Sequence, residues 1–152
     1  MKSLIFTVLI FSSVCSINAQ KLSDSTEVYA ILEEVFTVCN SVSPEGENSD
    51  IIIFERLSKY ILYNGSDISR KDKTACDYNN AEDHKIVDEI GKKIKLWLDN
   101  IENYKLISYK LQKEGAIDKH ALLFSYKSGA SKKEITFSFI KVNNAFLLAG
   151  IK

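Results

Sequence analysis

The last third of the chain, Lys119 to Ile151, constrains the fold most. Two apolar runs, Glu134–Val142 and Ala145–Ile151, are split by Asn143-Asn144. Asn tolerates the positive φ that both central positions of a type I′ turn require, so the runs read as a hairpin. That turn sets a register in which Val142 opposes Ala145, Lys141 opposes Phe146, Phe139 opposes Leu148 and Phe137 opposes Gly150. Strand side chains alternate, so one face collects Ile135, Phe137, Phe139, Phe146 and Leu148. The other collects Thr136, Ser138, Ile140, Val142, Ala145, Leu147, Ala149 and Ile151. Neither is a plain solvent face, and the second is expected to meet a helix, a subunit or a ligand. Upstream, His120–Tyr126 reads as a third strand, separated from the hairpin by the polar turn Lys127–Lys133. Tyr104–Gln112 reads as a fourth, with Ile107, Tyr109 and Leu111 on one face.

The rest is helical. Val28, Ile31, Leu32, Val35, Phe36, Cys39 and Val42 recur at helical spacing, which predicts a helix over 26–42. Ser43–Ser49 holds the only proline and ends it. A second helix starts at Asp50 and runs through Phe54, Leu57 and Ile61 to a stop at Asn64-Gly65. Ile86, Val87, Ile90, Ile94, Trp97, Leu98 and Ile101 mark a third, with Lys92, Lys93, Lys95 and Asp99 on its polar side. Gly91 in its middle costs about 1 kcal/mol against Ala, which suggests close approach to the sheet. Residues 64–83 form a polar loop, too long for a compact domain unless something ties it down.

The fold class is therefore α+β, with N-terminal helices packed on a curved C-terminal antiparallel sheet of about four strands. Met1–Ala19 has one early lysine, an apolar run over Leu4–Phe11 and small residues before Ala19, the pattern of a secretory signal peptide. Cleavage there leaves 20–152 as a single domain, secreted or periplasmic. Ser12-Ser13-Val14 fits poorly ahead of a lipidated Cys15. In an oxidising space Cys39 and Cys76 would pair as a disulfide that tethers the loop. The alternative is two separately buried thiols.

Several chemistries are excluded. With 20 basic and 20 acidic residues the chain has no net charge and no basic patch for nucleic acid or an anionic membrane. No stretch is long enough to span a bilayer. Two His and no Cys-x-x-Cys leave no zinc ligand set. No nucleophile elbow and no glycine-rich phosphate loop occur, so no catalytic residue and no cofactor is assigned. Acid–base chemistry needs less, and Trp97, Tyr109, Tyr126, Phe137 and Phe139 are the candidate lining of a pocket.

A helix ending in Trp97-Leu98, a strand over 104–112 and a final meander Lys133–Ala149 together resemble the nuclear transport factor two-like superfamily, above all its small secreted bacterial members of unknown function. The resemblance implies a sheet curled round helices into a cone with a pocket, and an outer sheet face that forms homodimers. Enzymes of that superfamily carry Asp, His or Tyr inside the cone. Here the last hairpin offers only Lys141, which argues against an enzyme. The expected function is a secreted non-enzymatic binding or interaction module for an apolar small molecule or a protein. The alternatives are a small-molecule isomerase or hydratase, and an immunity or inhibitor protein against a secreted toxin.

Overall fold

A computed structural model describes residues 23–41, 49–67, 70 and 74–152. The leader, Cys15 and Val42 lie outside the described residues. Helix α1 spans 23–40. It is followed by α2 (Ser49–Ser58), α3 (Ala81–Asp99) and four strands, β1 (Asn103–Glu114), β2 (Ile117–Ser128), β3 (Ser131–Val142) and β4 (Ala145–Ile151). The strands form one antiparallel meander in the order β1-β2-β3-β4.

Local chemistry explains the turns. Asn143 and Asn144 both take positive φ, 48° and 67°, as a type I′ turn demands. The hairpin they close has the expected register from Val142↔Ala145 to Phe139↔Leu148. Beyond it the register slips, and Phe137 pairs with Ile151 rather than Gly150. Ala149 is the extra residue of a bulge, so Ile151 crosses to the aromatic face. A second bulge makes Ile107 the extra residue in β1. Tyr104 and Leu106 therefore join the face of Tyr109, while Ile107 is left 48% exposed.

α1 and α3 cover the aromatic face. Phe36 of α1 meets Phe137 at 5.3 Å and Trp97 at 5.4 Å between ring centroids, and Trp97 meets Phe137 at 5.4 Å. The two contacts of Phe137 are edge-to-face, and such pairs add about 0.5–1.5 kcal/mol each to the burial itself. On the opposite face Ala121 and Leu147 are buried, while Leu123 and Ile140 are half-buried.

α2 ends at Ser58, earlier than its apolar spacing predicts, because the chain leaves it to pair with the sheet. Leu62 N–H donates to the Leu148 carbonyl at 2.9 Å, and Leu148 N–H donates to the Tyr60 carbonyl at 2.7 Å. Ile61 thus sits parallel to Leu148, and Leu62 pairs antiparallel with Ala75. Two sets of ladder bonds outweigh one more helical turn.

The tether of the 64–83 segment is not a disulfide. Cys39 and Cys76 are free, buried thiols, and burial pushes each pKa up to about 12. They pack as small hydrophobes in the core, so no bridge is needed to hold them. Polar contacts tie the segment instead. Arg70 Nη1 reaches both carboxylate oxygens of fully buried Asp83 at 2.6 and 2.7 Å, and Asp77 N–H donates to Asp83 at 2.6 Å. The Arg70 guanidinium lies 3.7 Å above the Tyr63 ring, whose hydroxyl donates to Glu82 at 2.6 Å. Asn80 caps α3, its side-chain oxygen accepting from the Glu82 and Asp83 N–H groups.

Gly91 admits close approach of α2, not of the sheet. A Cβ there would lie 2.3 Å from a ring carbon of Phe54. Gly91→Ala is expected to destabilise by about 1–3 kcal/mol despite its better helix propensity. A urea titration in which Gly91→Ala unfolds later than wild type would remove this explanation.

Candidate functional site

A polar pair interrupts the aromatic face of the sheet. Tyr109 on β1 and His120 on β2 meet at 2.7 Å, phenol oxygen to imidazole Nδ1. Their strands place them there: His120 is two residues before Leu122 and four before Phe124, on the same face, and pairs with Phe139 of β3. Around the pair are Phe146, 4.7 Å from the His120 ring, and the ion pair of Lys141 with Asp24 at 3.2 Å. Asp24 belongs to the first turn of α1, so this helix and all four strands converge on the site. A cavity of about 230 Å³ opens beside Tyr109, walled by Ser25, Thr26 and Tyr29 of α1 and by Leu106 and Leu122.

Electrostatics keep both partners neutral. Burial pushes the Tyr109 phenol up to about 12, reinforced by Asp24 and Asp118. Burial holds the His120 imidazole below its ordinary 6.5, aided by Lys141 and opposed by Asp24 and Asp118. A neutral imidazole has one donor and one acceptor nitrogen. With Nδ1 as acceptor, the phenol donates to it and Nε2 keeps the proton. Such a pair can take a proton at the ring or give one from the phenol, and it can fix the orientation of a ligand oxygen.

The depressed His120 pKa carries a stability consequence. As pH falls, the unfolded chain binds the proton first, so the stabilisation is complete above about 6.5 and is lost below it. The denaturant midpoint should drop between about pH 7 and pH 5. His120→Gln should flatten that limb, and an unchanged slope in the variant would assign the limb to other groups.

The residues proposed from sequence divide among three places. Tyr109 lines the cavity beside α1. Trp97 and Tyr126 line a separate groove of about 360 Å³ at the end of α3. Phe137 and Phe139 are fully buried and belong to the packed core rather than to a groove wall. His120 and Asp24 are not among the residues proposed from sequence. The local signal for His120 is its strand parity with Leu122 and Phe124, whereas nothing local links Asp24 to Lys141, 117 residues away. Among the described residues no cluster of His, Cys, Asp and Glu could hold a metal ion. No helix among them is long and apolar enough to cross a membrane.

Comparison with known proteins adds little. No protein-family model matches the chain, and no curated protein does. A solved structure similar to it is the crystal structure of an NTF2-like protein of unknown function from Exiguobacterium sp. 255-15. It is 12% identical, and the match covers 78% of this chain and 94% of that chain with a TM-score of 0.34.

Proposed function

We propose that this chain is a secreted, non-enzymatic binding module of the nuclear transport factor two-like class, which holds a small apolar molecule between α1 and the sheet. The carrying observation is the part-buried Tyr109–His120 pair beside a cavity, where polar groups converge on an aromatic face. Its ligand is apolar with a hydroxyl, because the walls offer Leu106 and Leu122 together with the Tyr109 phenol oxygen, which is left free to accept. Three helices followed by a four-stranded meander support the class. The Met1–Ala19 leader supports secretion.

Native mass spectrometry of protein recovered from a secreting host tests the reading. Wild type is expected to carry a small-molecule adduct that Tyr109→Phe or His120→Gln loses. A bare wild-type mass, persisting after incubation with host extract, would refute it. A second reading, an acid–base enzyme, is favoured by the same pair, since a neutral imidazole bonded to a phenol is equipped to move a proton. It requires the adduct to emerge chemically altered, with the change abolished in Tyr109→Phe.

A further inference from the structure

The groove at the end of α3 is separate from the Tyr109–His120 cavity. His120 and Tyr126 are six residues apart on β2, about 20 Å at the rise of an extended strand. The floor of the groove is apolar: Trp97, Tyr126 and Ile135. Leu96, at its edge, is 66% exposed, the most exposed large hydrophobic residue described. Its charged residues are Lys93 and Lys133, and no carboxylate lines it. Lys133 pairs with Tyr126 across the β2–β3 ladder, which places it on the groove side. It forms no ion pair among the described residues. Lys93 donates one proton to the Ile151 carbonyl at 3.0 Å and has others to give. Of the carboxylates on the flanking elements, Asp99 pairs with Lys95 and Glu102 with Lys127. The C-terminal carbonyls of α3 would repel an anion, but Asn100 caps two of them, those of Leu96 and Trp97.

We propose that this groove is a second ligand site, selective for an amphipathic carboxylate whose apolar body lies on Trp97 and Tyr126 and whose carboxylate meets Lys93 and Lys133. Apolar surface alone would not choose a charge. The two unopposed ammonium groups do.

Trp97 is the only tryptophan in the chain, so its fluorescence reports on the groove directly. Titration with sodium octanoate is expected to give a saturable change. Octylammonium, with the same chain and the opposite charge, should bind about tenfold or more weakly. Lys133→Glu and Lys93→Gln should each weaken octanoate about tenfold while the far-UV spectrum stays that of wild type. His120→Gln should leave octanoate affinity unchanged, which separates this site from the cavity beside α1. Four results would each overturn the proposal: no saturable change, equal affinity for the two amphiphiles, no effect in both lysine variants, or loss of octanoate binding in His120→Gln.

Discussion

Asp83→Ala is expected to cost about 3–5 kcal/mol, the range for removing one partner of a buried ion pair. Asp83 has no exposed surface, and three donor contacts converge on it from Arg70 and the Asp77 N–H. Truncation leaves the guanidinium held against Tyr63 with its counter-charge gone, and it orphans the Asp77 amide. It also releases the start of α3 from the segment that follows Ile61. Asp83→Asn keeps an acceptor for Asp77 N–H and should cost less, since only the charge is lost. Urea unfolding of both variants checks this. A loss below about 1 kcal/mol in Asp83→Ala would mean that the ion pair does not hold the segment.

Phe137→Ala is expected to cost a similar amount, about 3–5 kcal/mol, by lost transfer energy and the cavity left behind. Phe137 has no exposed surface and touches the rings of Phe36, Trp97 and Phe124. Those rings come from α1, α3 and β2, so its removal loosens the contact between the helices and the sheet. A groove-wall residue would behave differently, losing ligand affinity with a stability change near 0.5 kcal/mol. A small loss of stability would therefore return Phe137 to the groove wall.

These two residues show unequal legibility in the sequence. Phe137 announces itself by parity: Ile135, Phe137 and Phe139 alternate with Thr136 and Ser138, and a sheet with one covered face must bury that set. Asp83 carries no such signal. It stands in the first turn of α3, where acidic residues are common for dipole reasons alone. Its burial becomes visible only when Arg70 folds back on it.

The sequence by itself determined the element order, the two helical stripes with strong periodicity, the four-stranded meander and the Asn143-Asn144 turn. All of these depend on contacts a few residues apart or on a repeating period, and are therefore written locally. Tertiary structure decided the rest. Two bulges sent Ile151 inward and Ile107 outward, because one extra residue reverses every side chain beyond it. The chain left α2 at Ser58 because β4 offered Tyr60 and Leu62 ladder partners far away in sequence. Cys39 and Cys76 remained thiols because the fold does not bring them within bonding distance. Likewise Tyr109 met His120, and Asp24 met Lys141, only because a buried polar group must take whatever partner the fold brings within reach.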